Sequence, residues 1–353
     1  MPHEPQDGES TPDRDLARYS RQMLCEQVGE EGQRRLRRAS VTLVGCGALG
    51  GVLANTLVRA GVGSLRIIDR DFIELSNLQR HPLFDEHDIA QNLPKAEAAA
   101  RKLHKINSAV EIEAVVADVN PGNAEAYCSQ ADLILDGTDN METRFLVNDV
   151  AVKHNLPWVY GACIGTEGLV MPILPRQTPC LRCVWDRPPP PGTIPTCDTV
   201  GVLAAVVNVV ASLQATEAMK ILMGHTTELN GLLAVDVWTG RIRAINVQPA
   251  YDDGDCPCCK HGQYEFLEVG CPPTATRLGR GAVHLLPVEA AELDFKRIAG
   301  RLPGTARAKF SEYMLTFSAD QLTVTVFRDG RAIVQGTTDP AIARGVLAKY
   351  LGA

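Results

Sequence analysis

Residues Val44 to Gly50 read VGCGALG. The stretch follows the apolar run ASVTL and opens the apolar-periodic segment GVLANTLVRAGV, so it stands where a strand ends and a helix begins. Gly45, Gly47 and Gly50 fit G-x-G-x-x-G. Between a strand and a helix, such a turn lets the backbone approach a nucleotide's phosphates, and the helix N-terminus offers them unpaired N–H groups. Asp69 closes the next strand, nineteen residues past Gly50, where a carboxylate can accept hydrogen bonds from ribose hydroxyls. NAD and ATP satisfy this much equally.

Around this turn, strand and helix patterns alternate from residue 39 to about 160. SVTLVG, SLRIIDRD, VEIEAVVADV, ADLILDGTD and PWVYGACIG read as strands. GGVLANTLVRAG, PKAEAAARKLHKIN, AEAYCSQ and METRFLVNDVAVKHN read as helices. Repeated βαβ units of this kind build a doubly wound, mainly parallel sheet of the Rossmann-like class. Before it, residues 1–15 are expected to be a disordered arm and 16–38 one amphipathic helix. After 160 the pattern changes. EGLVMPILPR reads as antiparallel strand, the Pro-rich run 187–196 as a connection, VGVLAAVVNVVASLQATEAMKILMG as a long buried helix, and GLLAVDVWTGRIRAINV as a hairpin turning at Thr239-Gly240. Residues 272–353 have their own pattern, expected to be a small α+β appendage. It has three short strands turning at Asp329-Gly330, then a closing helix with Asp339 as N-cap and Pro340 at its first position.

The 353 residues suffice for two or three domains. An apolar content of 45% with 22% charged residues is ordinary globular usage, which argues against a disordered chain. A net charge of −7 disfavours a nucleic-acid or anionic-membrane partner, since phosphate binding needs clustered Lys and Arg. No apolar run is read as a membrane span, and the polar first sixteen residues show no secretory signal, so a cytoplasmic location is the expectation.

The loop after the second strand separates the two nucleotides. IELSNLQRH carries Asn77, Gln79 and Arg80, and Lys95 opens the next helix. A hydride-transfer site has little use for two cations at the phosphates, whereas a triphosphate under attack at phosphorus needs its charge neutralised. DGTDNMETR then places Asp136, Asp139 and Asn140 at the same edge. A carboxylate beside a triphosphate is a natural Mg²⁺ ligand, although Asp139 could equally cap a helix and pair with Arg144.

The chain has 11 cysteines, an odd and scattered number that argues against a disulfide framework. Cys180 and Cys183 form one CxxC, and Cys256 and Cys259 a second one after a gap of 72 residues, leaving Cys258 as the odd member. Two such pairs suit tetrahedral Zn²⁺; two redox pairs, or one pair with accidental cysteines, are the alternatives. Cys25, Cys46, Cys128, Cys163 and Cys271 stand singly and read as small packed side chains. Cys197 precedes the long apolar helix, where a thiol near a helix N-terminus reacts more readily; as a lone cysteine it reads equally as an ordinary loop residue.

Together these residues resemble the ThiF/MoeB/HesA family of adenylyltransferases that activate ubiquitin-like sulfur-carrier proteins. The resemblance runs from RYSRQ (18–22) to CPCC (256–259), through GCGALG, AGVGSLRIIDRDFIELSNLQR, PKAEAA, DGTDN, PCLRC, PPPPGTIPTC and SLQATEAMKIL. It implies ATP and Mg²⁺ at the site, a structural Zn²⁺, and a ThiS- or MoaD-like carrier whose Gly-Gly carboxylate attacks the α-phosphorus. The carrier would serve thiamine, molybdopterin or related sulfur transfer, with a cysteine desulfurase or another sulfur donor upstream. Gly45, Gly47, Ala48, Gly50, Asp69, Asn77, Gln79, Arg80, Lys95, Asp139 and Asn140 would bind the nucleotide, and Asp139 would hold Mg²⁺. Arg21 would act as an arginine finger from the second subunit of a homodimer, and Cys197 would carry the activated carrier. The chain then divides into the arm 1–15, an adenylation unit 16–271 stapled by zinc, and the appendage 272–353. This chain departs from the family at Ala48, often Gly in relatives, and at QNLPK, where relatives have Gly-x-x-Lys. It also has no cysteine beyond Cys271, so the persulfide chemistry of relatives fused to a rhodanese is not expected in the tail. An NAD-dependent Rossmann oxidoreductase and a non-catalytic tRNA-modification scaffold are the competing readings.

Overall fold

The computed structural model describes residues 16–189, 197–229, 231–268, 275–278, 281–286, 293–300, 302, 307–319 and 321–351. The expected arm 1–15, most of the Pro-rich run and Cys271 lie outside them. The strands are β1 Ser40–Val44, β2 Ser64–Ile68, β3 Glu111–Val115, β4 Leu133–Asp136, β5 Trp158–Ile164, β6 Glu167–Ile173, β7 Leu232–Asp236 and β8 Arg241–Ile245. β9 Ala275–Leu278, β10 Ala282–Leu285, β11 Lys309–Phe310, β12 Met314–Ala319, β13 Leu322–Phe327 and β14 Ala332–Gln335 follow.

The first eight strands form one sheet in the order β3-β2-β1-β4-β5-β6-β7-β8. From β3 to β5 all pairings are parallel; from β5 to β8 all are antiparallel. The sheet is therefore mixed. Its parallel half is the doubly wound part, where helices make the crossovers that parallel strands require. Neighbouring residues face opposite sides: Leu43 and Ile67 enter one apolar cluster, Val44 and Ile68 the other. Both faces are covered, which is why these strands read as continuous apolar runs. Helices Ala48–Ala60, Lys95–Ile106 and Ala204–Met223 supply buried side chains to the first cluster, and Met141–His154 to the second.

Register positions the site. Val44 lies opposite Ile68 on one side and Asp136 on the other, so Gly45, Asp69 and Gly137 leave the sheet together at its C-terminal edge. The strand order reverses between β1 and β4, the position where open α/β sheets bind ligands.

Four expectations are corrected. Residues 16–38 are not one helix. They form a 3₁₀ turn, Ala17–Tyr19, and two short helices, Ser20–Met23 and Gly29–Leu36, broken where Gly29 takes φ +55°. The long apolar helix begins at Ala204, because Gly201 takes φ +80° and Val202 makes a β-bridge to Gly165. At 20 residues that helix is long and apolar enough to span a membrane, although no apolar run of the sequence reads as a span. Here Val206, Val207, Val210, Ala211, Ala215 and Ala218 pack against the sheet and helix Ala48–Ala60 instead. Finally, Asp139 does not cap the helix that follows it, as described below.

The hairpin at Thr239-Gly240 is as expected, with Gly240 at φ +68°. The C-terminal segment forms an antiparallel sheet in the order β11-β12-β13-β14-β10-β9, with helices Phe295–Ala299 and Pro340–Leu351. β12 to β14 are the three strands expected, turning at Gly330 with φ +86°. Asp339 accepts from the Ala341 amide at 2.8 Å and so caps the closing helix. β9 to β11 have two to four residues each, too short for a period to be read.

Candidate active site

The turn after β1 shows what each glycine does. Gly45 takes φ +88°, and a Cβ there would stand 2.6 Å from the Gly137 carbonyl oxygen. A Cβ on Gly50 would stand 2.0 Å from the Gly45 oxygen, so the helix packs flush on the turn. Gly47 precedes helix Ala48–Ala60, whose first N–H groups have no side-chain cap. They are free for an anion, and the helix is long enough to favour one. Ala48 is the first helical residue and is not among the positive-φ residues, so its methyl is accommodated.

Asp69 is buried and accepts from the Cys46 amide at 2.7 Å and the Asp71 amide at 2.7 Å, one bond to each carboxylate oxygen. A second lone pair on each oxygen is left for a ribose. Burial pushes its pKa up, opposed by Lys95. Lys95 is buried beside it and donates to Asp71 at 3.1 Å. Burial works against this ammonium. Asp71 and Asp69, then the hydrogen bond and Asp139, outweigh it and hold Lys95 firmly charged. Burial likewise would raise Asp71, but Lys95 and Arg70 hold it down at about 2.

In the next loop the Asn77 oxygen accepts from the Glu74 amide at 3.0 Å, fixing the turn 74–77. Gln79 is exposed. Arg80 is half-buried, with Nη1 donating to the Ser76 carbonyl at 2.9 Å. His81 was missed by the sequence reading. It is 4% exposed, its Nδ1 has no partner among the described residues, and its ring lies beside Gly47. Burial, reinforced by Lys95 and Arg80, lowers it to about 3, so the ring is neutral at pH 7. A histidine is not distinguishable in sequence from a surface residue unless its burial is known.

Asp136 and Asp139 have different roles. Asp136 is buried: it accepts from the Thr138 amide and hydroxyl, and from Arg144 Nε at 2.9 Å. Arg144 also donates to the carbonyls of Thr138 and Gly161 at 2.7 and 3.0 Å, and lies over the Tyr160 ring. The expected Arg144–Asp139 pair is therefore wrong; the partner is Asp136. Nor is Asp139 the helix cap. Asn140 fills that place, accepting from the Thr143 amide at 2.8 Å. Asp139 is exposed and makes no hydrogen bond or ion pair among the described residues, yet its charge is felt at Lys95, Arg70 and Arg144.

Arg21 is exposed on helix Ser20–Met23 and makes no hydrogen bond or ion pair with these residues. Cys197 opens a four-residue helix, Cys197–Val200, rather than the long one, because the chain turns at Gly201. Its thiol donates to the Cys163 carbonyl at 3.4 Å. Cys163 lies four residues past Val159, which pairs with Leu135, so Cys197 is on the C-terminal side of the β4–β5 pair. Burial, then Cys197, pushes the Cys163 thiol up to about 12.

Cys180, Cys183, Cys256 and Cys259 converge, their sulfurs all within 4.8 Å of one another. The Cys180–Cys256, Cys180–Cys183 and Cys183–Cys259 separations are 3.6, 3.8 and 3.4 Å. Four thiolates about 2.3 Å from one Zn²⁺ stand about 3.8 Å apart, so the tetrad has the size such an ion requires. Cys258 is not one of the four; its thiol donates to Asp149 at 3.4 Å.

Comparison with known proteins gives a consistent result. The ThiF family matches residues 19–258. A sulfur carrier protein ThiS adenylyltransferase from Bacillus subtilis is 40% identical over 337 residues, covering 95% of this chain and 99% of that protein. A SAMP-activating enzyme E1 from Haloferax volcanii is 38% identical over 254 residues, covering 72% of this chain and 92% of that protein. Among solved structures, Escherichia coli MccB with ATP superposes with a TM-score of 0.58 at 25% identity, covering 69% of this chain and 73% of that one.

Proposed function

The chain belongs to the ThiF family, and from that premise we propose how its residues adenylate the C-terminal carboxylate of a ubiquitin-like sulfur-carrier protein with ATP, releasing pyrophosphate. It is an adenylyltransferase. The triphosphate lies along the Gly45–Gly50 turn and the N-terminus of helix Ala48–Ala60, with the ribose on Asp69. Arg80 and Lys95 neutralise charge as the carrier carboxylate attacks the α-phosphorus. Asn77, Gln79 and Asn140 line the same edge. Asp139 would hold Mg²⁺, which would supply positive charge against the triphosphate. One observation carries the reading: buried Lys95 pairs with Asp71 at 3.1 Å, two residues past Asp69, whose carboxylate accepts at 2.7 Å from the Cys46 amide of the uncapped glycine turn.

The carrier is proposed to be ThiS-like. The relative named for ThiS matches 95% of this chain, through the C-terminal segment, whereas the next relatives match 69% and 72% of it. Cys180, Cys183, Cys256 and Cys259 would hold structural Zn²⁺. Arg21 would reach the site of a second subunit in a homodimer, and Cys197 would bond covalently to the activated carrier. A cysteine desulfurase or similar donor would supply sulfur, in the cytoplasm. The test is ATP–pyrophosphate exchange with carriers from the same genome that end in Gly-Gly. Exchange only in the presence of such a carrier is expected. No exchange with any of them, together with tight binding of NAD and none of ATP, would overturn the reading in favour of a hydride-transfer enzyme.

A further inference from the structure

The C-terminal segment touches both stretches of chain that hold the nucleotide-site charges. Phe327, at the end of β13, stacks on Phe72 with ring centroids 5.4 Å apart and planes at 27°. Its neighbour Val326 enters the segment's own apolar core, while Phe327, though 2% exposed, lies outside that core. Alternation along the strand aims it at the other face. Phe72 makes a β-bridge to Pro94, the residue before Lys95, and the Lys95 amide donates to the Asp71 carbonyl at 2.8 Å. Phe327, Phe72, Pro94 and Lys95 thus form one line of contacts.

Two further contacts run parallel to it. Arg331, 4% exposed, donates to the Val116 carbonyl at 3.2 Å just past β3, and its guanidinium lies 4.9 Å from the Phe327 ring. Arg101, on the helix that Lys95 opens, donates to the Tyr313 hydroxyl at 3.0 Å. Where the two sheets meet, a cavity of about 10 Å³ is lined by Arg70, Asp71, His284, Phe327, Arg331 and Ile333. That is room for about one water, so the contact is close-packed and transmits displacement.

We propose that the C-terminal segment is a positioning element for ATP: Phe327 and Arg331 press Phe72 and the Asp69–Asp71 turn onto Pro94 and Lys95, setting the ammonium for phosphate. The inference rests on the adenylation reading. Packing that served stability alone would leave the kinetics of folded variants untouched; positioning of Lys95 changes the KM for ATP and leaves the KM for the carrier alone.

The test uses the full chain with Phe72→Ala, Phe327→Ala and the double variant, in ATP–pyrophosphate exchange. Each single change is expected to raise the KM for ATP by about 5-fold or more, with the carrier KM unchanged and the double variant no worse than the weaker single one. An ATP KM within twofold of the parent in soluble variants, or a rise in the carrier KM alone, overturns the proposal. Should these variants not fold, Phe327→Leu keeps an apolar side chain and removes only the ring stacked on Phe72, and an unchanged ATP KM there overturns it equally. If the parent shows no exchange at all, the adenylation reading has failed instead; the ATP dissociation constants of the same variants, by calorimetry, then read the positioning separately.

Discussion

Arg80 and Lys95 carry the same charge and are expected to respond differently to removal. Arg80 is half-buried, with one hydrogen bond to a carbonyl, so its charge is available to a ligand and contributes little to the fold. Lys95 is buried and balances Asp71 and Asp69. Arg80→Ala is therefore expected to lower exchange by about 100-fold with the melting temperature unchanged. Lys95→Ala is expected to lower exchange as far and to cost about 1–2 kcal/mol of stability, discounted because Asp71 is half-exposed. Denaturant titrations beside the exchange assay check this. Equal stability losses in the two variants would refute the distinction.

Among elements, helix Ala48–Ala60 joins two requirements: an N-terminus open to an anion and a backbone flush against the turn before it. Its two adjacent glycines separate them. In a helix interior Ala is favoured over Gly by about 1 kcal/mol. At Gly51 an added Cβ meets only the Leu83 Cβ at 3.5 Å, so Gly51→Ala is expected to keep activity and raise stability by about 0.5–1 kcal/mol. At Gly50 the Cβ would stand 2.0 Å from the Gly45 oxygen, and backbone must move. Gly50→Ala is expected to destabilise despite its better helix propensity and to abolish ATP binding. Thermal melts and calorimetry on the two variants check it; a Gly50→Ala protein that binds ATP normally would show that the turn is not the phosphate site.

For the whole molecule, the cysteine tetrad closes a loop of more than seventy residues that contains helix Ala204–Met223 and the β7–β8 hairpin. A metal clip on so long a loop removes much of the unfolded chain's freedom, and metal binding free energy is then folding free energy. Cys183→Ala is expected to lose one zinc per chain by elemental analysis and to lower the melting temperature, and a strong chelator to do the same to the parent. Unchanged metal content and melting temperature would remove the staple from the account. The C-terminal sheet joins the rest through side chains such as Phe72, Phe327 and Arg331, which no local pattern marks as partners.

The parallel half of the sheet, the glycine turn after β1, and the edge where Asp69, Lys95 and Asp139 gather are legible in the spacing of one chain. Backbone hydrogen bonding imposes the helix and strand periods locally, and in βαβ units every strand's C-terminal loop opens at one edge. The positions of the broken N-terminal helix and the late start of helix Ala204–Met223 were less legible, since a glycine's φ is chosen by what surrounds it. The folded chain sets which charges meet. It gives Arg144 to Asp136 rather than to Asp139, buries His81 beside Gly47, and sets Phe327 against Phe72. Those pairings depend on burial and approach in space, which one chain's spacing does not encode: a carboxylate eight residues from an arginine and one five residues away look equally good until the fold buries only one of them.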